Sequence, residues 1–74
     1  MNIGDTIKDN DPRMGERFLR VVETIKPDHV IARRILHDGS LNSYPRNGFK
    51  IKLSRIHSEG KKRKGGFTLI EPKP

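Results

Sequence analysis

Phe49-Lys50-Ile51-Lys52-Leu53-Ser54-Arg55-Ile56 alternates apolar and polar side chains through its first six positions. A repeat of two is the signature of a strand with one face buried. Phe49, Ile51 and Leu53 belong to a core, whereas Lys50, Lys52 and Ser54 face solvent. Ser54-Arg55-Ile56 reads as a single helical turn that ends the strand, with Ile56 capping the core. Lys61-Lys62-Arg63-Lys64 follows shortly after, so fold and charge meet in one region.

Working outward, residues 3–8 (Ile-Gly-Asp-Thr-Ile-Lys) predict a short first strand with Ile3 and Ile7 as core positions. Asp9-Asn10-Asp11-Pro12-Arg13-Met14-Gly15 is dense in turn formers and predicts an ordered, irregular loop. Residues 17–25 place Leu19, Val21, Glu23 and Ile25 on one face and Phe18, Arg20, Val22 and Thr24 on the other. Neither face is purely apolar, so a bulge is expected that lets both Val21 and Val22 reach the core. Lys26-Pro27-Asp28 is a tight turn, and residues 29–36 form the antiparallel partner with Val30, Ile31, Ile35 and Leu36 as its apolar content. Ile31 and Ile35 also fit a helical spacing, but the β-branched composition and hairpin spacing favour a strand.

Residues 37–48 carry Asp38-Gly39, Pro45 and Asn47-Gly48 and predict a long connection, with Leu41 and Tyr44 folded back over the barrel end. Residues 57–66 are polar, charged and glycine-flanked and predict a mobile basic loop. Phe67-Thr68-Leu69-Ile70-Glu71 completes the set as a final strand. The expected fold is all-β: five short strands, with one helical turn before the last. A chain this short must close or nearly close its sheet to hide the edges. All 74 residues form a single domain with its core at about residues 3–71.

This order of elements resembles the small SH3-like barrel. Ile3-Gly4-Asp5-Thr6-Ile7-Lys8 and Gly48-Phe49-Lys50-Ile51 are also similar to barrels of the KOW type found in ribosomal and transcription elongation proteins. That resemblance implies binding to RNA or to a ribosomal or transcriptional assembly. The compact, basic chain is similar as well to small phage-encoded accessory proteins, which implies a regulatory role on a host machine.

Composition bounds the chemistry. Apolar residues are 31% of the chain and charged residues 34%, which leaves a small core. With no cysteine, disulfides and thiolate metal sites are excluded. Met1-Asn2-Ile3-Gly4-Asp5 lacks a cationic stretch followed by an apolar run, and no apolar run approaches a membrane span, so a cytoplasmic protein is expected. His29, His37 and His57 sit in separate elements without metal-ligand spacing. Asp5, Asp9 and Asp11 lack the closing Glu of a calcium loop, and turn stabilisation through Arg13 or Arg17 accounts for them better. Ser40, Ser43, Ser54 and Ser58 have no nucleophile-elbow context. The reading is a non-enzymatic protein without a cofactor, a metal or a small-molecule substrate.

The net charge is +7 and its distribution is uneven. Residues 1–16 carry Asp5, Asp9, Asp11 and Glu16 against Lys8 and Arg13. Residues 48–65 carry Lys50, Lys52, Arg55, Lys61, Lys62, Arg63 and Lys64 against Glu59 alone. A one-signed surface points to a polyanionic partner, DNA or RNA. Lys50 and Lys52 project together about 6.5–7 Å apart, a spacing comparable to that of successive phosphates on one strand. Arg55 follows, and Arg33 and Arg34 support them from the third strand. Such a set gives affinity with little sequence specificity, because cations read phosphates and not base edges.

Two different roles for the same cations compete with phosphate binding. They can simply solvate and blunt a small barrel, or they can grip an acidic protein face, with the Asp9–Gly15 and Tyr44 loops giving specificity. Aromatic side chains are few: Phe49 and Phe67 read as core, and Tyr44, followed by Phe18, is the candidate for stacking on a base.

Overall fold

The computed structural model describes residues 1–58 and 65–70. Its strands are β1 (Thr6–Asp9), β2 (Phe18–Ile25), β3 (His29–Arg34), β4 (Phe49–Lys52), β5 (Ile56–His57) and β6 (Phe67–Ile70). Two 3-10 helical turns, Pro12–Met14 and Leu53–Arg55, are the helical content of the described residues. The strands form one sheet in the order β4-β3-β2-β1-β6-β5, antiparallel except for the β5–β6 pair.

The stretch from Phe49 to Ile56 explains why this sheet curls. Strands β4 and β5 are its two outer strands, yet in the chain they are separated only by Leu53–Arg55. One 3-10 turn therefore carries the backbone from one edge to the other, which is possible only if the sheet bends into a half-barrel. The Leu53 N–H donates to the carbonyl of Asp28 at 2.7 Å, tying this turn to the β2–β3 hairpin.

Alternation decides which side chains enter the barrel. Ile7, Leu19, Val21, Val30, Ala32 and Ile51 form the buried core, and Phe49, Leu53, Ile56, Phe67 and Leu69 pack against it from the rim. Burying an aliphatic side chain of this size contributes about 1.5–3 kcal/mol, so a core this small holds little in reserve. The expected bulge lies in β2. Val21 pairs with Ala32 and Glu23 with Ile31, so Val22 is the extra residue, half-buried beside a fully buried Val21.

The structure departs from the sequence reading in several places. There are six strands, not five. The additional β5 has two residues, too short for a periodicity to register, and it pairs in parallel with the start of β6. The expected helical turn is present one residue earlier, at Leu53–Arg55, and leads into β5 rather than directly into the last strand. Ile3 is 65% exposed and not a core residue. Asp5 turns the chain there: its carboxylate accepts the Asn2 N–H, its own N–H donates to the Asn2 carbonyl, and the strand begins only at Thr6. Tyr44 does not fold back over the barrel end but projects, 79% exposed, and Leu41 is exposed too, bridging Ile35 through its backbone. His57, expected in a loop, belongs to β5, and residues 59–64 of that loop lie outside the described residues.

Candidate nucleic-acid interface

On β4, Phe49 and Ile51 turn inward, so the alternation sends Lys50 and Lys52 outward, and both are exposed. Lys50 stands opposite Ile31 and Lys52 opposite His29 on β3. Because β4 is an outer strand of the sheet, these lysines sit at a margin that a long polyanion can reach without meeting another sheet strand. Arg55 ends the 3-10 turn, also exposed, and lines an open cleft of about 530 Å³ with Asp11, Arg13, Gly65 and Gly66.

Lys61, Lys62, Arg63 and Lys64 lie outside the described residues. The described chain resumes at Gly65, whose carbonyl accepts from the Asn10 side chain at 3.2 Å, and Gly65 shares the cleft with Arg55.

The two arginines of β3 are divided in their roles. Arg33 lies on the same outer face as Ile31, but its guanidinium is occupied. It donates to the carbonyls of Asn42 (3.3 Å), Pro45 (3.0 Å) and Arg46 (2.6 Å), pinning the connection that leads into β4. Arg34 is exposed at the end of β3, past the last β3–β4 pair, and lies opposite Leu19 in register. It lines a second cleft, of about 370 Å³, with Phe18, Arg20 and His37. Lys50 and Lys52 thus share the outer face of β4, Arg55 lies just beyond them at the end of the turn that leads to the β5 edge, and Arg34 lines a different cleft.

Asp9 and Asp11, the acids of the first loop, are paired with arginines. Asp9 is buried; it takes the Arg17 guanidinium on one carboxylate oxygen and the Asp11 N–H, at 3.0 Å, on the other. Asp11 accepts a bidentate pair from Arg13 at 3.0 and 3.1 Å. The Arg13 guanidinium bonds, reinforced by the Arg13 backbone N–H, hold the Asp11 carboxyl below the ordinary carboxylate value. Both arginines expected to serve the loop therefore do so. Among the described residues no group of His, Asp or Glu is placed to hold a metal ion. No helix of the described residues is long and apolar enough to cross a membrane.

Lys50, Lys52 and Arg55 make no salt bridge with a carboxylate of the described residues; the ion pairs there are Lys8–Glu16, Arg13–Asp11, Arg17–Asp9 and His29–Asp28. Sequence reasoning passed over Arg20. It alternates with the buried Leu19 and Val21, stands opposite Arg33 in register and is exposed. The signal was the parity of β2, obscured by its mixed faces. No family model, curated protein or solved structure matches the chain.

Proposed function

We propose that this half-barrel is a non-enzymatic binding module for nucleic acid, contacting phosphates through Lys50, Lys52 and Arg55. The supporting observation is the row of exposed cations on an outer strand, none of which makes a salt bridge with a carboxylate of the described residues. Lys61, Lys62, Arg63 and Lys64 extend this surface in the proposal, because their chain re-enters beside Arg55 at Gly65. Arg34 contributes from a separate position, and Arg33 serves by holding the loop that feeds β4. The proposal includes an SH3-like barrel, supported by the 3-10 turn that joins the two edge strands.

Binding of this kind releases condensed counterions, about 0.9 per phosphate neutralised on duplex DNA. Lys50, Lys52 and Arg55 alone then give a slope of roughly −3 in a plot of log affinity against log salt, and the 61–64 cations steepen it. The measurement is titration of labelled duplexes of two unrelated sequences at several ionic strengths. The expected result is equal affinity for both and a steep fall with salt. Absence of binding at low salt removes the proposal. The same charges can grip an acidic protein face, and a partner retained from nuclease-treated lysate in place of any oligonucleotide affinity assigns them to that use.

A further inference from the structure

Resting on that reading, we propose that Tyr44 is a stacking platform for one unpaired nucleobase beside the phosphate-contacting margin.

The first observation is exposure. Phe18, Phe49 and Phe67 are each half-buried, and Phe49 and Phe67 pack on the core. Tyr44 is the one aromatic side chain with its ring in solvent, at 79% exposure. The second observation is that the loop beneath this ring is held in place. The Asn42 side-chain oxygen accepts the Tyr44 N–H at 3.1 Å, and the Asn42 N–H donates to the Arg34 carbonyl at 2.8 Å. The Gly48 N–H donates to the Pro45 carbonyl at 2.9 Å. Arg33 closes the arrangement by reaching the carbonyls of residues 42, 45 and 46 with one guanidinium.

An exposed ring on a slack loop loses much of its stacking energy to ordering. A ring on a backbone fixed at several points loses far less, which is how tyrosine contributes to binding surfaces. Location supplies the ligand class. Arg33 projects from the outer face of β3, so its three bonds fix the loop against the face that also carries Lys50. The chain runs from Tyr44 through Arg46 directly into β4. A strand whose phosphates lie on Lys50 and Lys52 therefore passes near a free π-face, and every base has a matching one. One ring stacks one base, so the preferred ligand is nucleic acid with an unpaired nucleotide: a single strand, a loop or a bulge.

Tyr44 is the sole tyrosine and the chain has no tryptophan, so intrinsic tyrosine emission reads this residue alone. The experiment titrates the protein with an oligothymidylate and with a blunt duplex of equal length at low salt. Binding is followed by anisotropy of the labelled oligomer, and emission is corrected for nucleic-acid absorbance. Expected is saturable quenching by the single strand, at the same concentrations as binding, and little quenching by the duplex. Tyr44→Ala should weaken single-strand binding about 5- to 100-fold, leaving duplex affinity and the salt slope unchanged, and Tyr44→Phe should restore it. Single-strand binding without quenching, or with equal affinity in Tyr44→Ala, overturns the stacking site while the phosphate-binding margin stands. A duplex that binds where the single strand does not has the same consequence. No binding of either oligomer at low salt overturns both.

Discussion

Asp9→Asn is expected to destabilise the fold by about 3 kcal/mol, more than any other single charge removal among the described residues. The Asp9 side chain is 8% exposed and that of its partner Arg17 18%, so the pair is largely withdrawn from water. Asparagine keeps the shape and the bond from the Asp11 N–H but removes the charge, leaving a buried guanidinium without its counterion. The Arg17 Nε already lacks a hydrogen bond, its guanidinium carbon lies 5.6 Å from the Phe49 ring centroid, and Asp11, the other carboxylate that feels its charge, is already engaged by Arg13. The ring gives some cation–π stabilisation but cannot replace a carboxylate. Because Asp9 ends β1 and Arg17 immediately precedes β2, the loss loosens the loop between the two strands. Urea unfolding followed by far-UV circular dichroism measures it as a lower midpoint at unchanged slope. Asp11→Asn is the control. That pair is exposed on the Arg13 side, and its removal should shift the midpoint far less.

Gly48→Ala is expected to cost about 2–4 kcal/mol, from two separate effects. Gly48 has a φ of +71°, where an L-residue is disfavoured by roughly 1–2 kcal/mol. A methyl group there would also stand 2.6 Å from Ile31 Cγ2 and 3.2 Å from the Ala32 carbonyl oxygen. Ile31 is β-branched and held in the middle of β3, so it cannot swing aside as the end of a flexible chain would. Gly39→Ala isolates the first effect. Its φ is +89°, but its added carbon meets nothing within 4 Å, so only the backbone cost of about 1–2 kcal/mol is expected. Equal midpoints for the two variants would show that the close approach at Gly48 carries no energy. For a domain of this size, with a few kcal/mol of total stability, Gly48→Ala should populate the unfolded state visibly at 25 °C.

Much of this architecture is legible in the residues themselves. The alternation of Phe49–Leu53 placed Ile51 in the core and the two lysines outside, and the mixed faces of residues 17–25 announced the bulge that passes over Val22. Acidic turn residues with nearby arginines point to an Asp paired with Arg13 or Arg17, and the fold sets the partners as Asp9–Arg17 and Asp11–Arg13. Other features left no local trace. β5 exists because two backbone residues meet β6, a pairing that two side chains cannot encode by periodicity. Ile3 reads as core by hydropathy, and only the Asn2–Asp5 turn removes it. Arg33 reads in the sequence as one more free cation, because the three carbonyls it holds belong to residues 9 to 13 positions away. Lys50, Lys52 and Arg55 are legible as charge, but that none of them meets a carboxylate of the described residues is a property of the folded chain.

The central claim is that Lys50 and Lys52 neutralise phosphates, and the salt dependence of their double variant tests it most directly. Lys50→Gln/Lys52→Gln keeps exposed side chains of similar length on β4, and circular dichroism should show an unchanged fold. Its log–log salt slope on duplex DNA should be smaller than that of the parent by about 2, by the same amount on two unrelated sequences. A slope identical to the parent's would contradict the claim and assign the lysines to solvation alone.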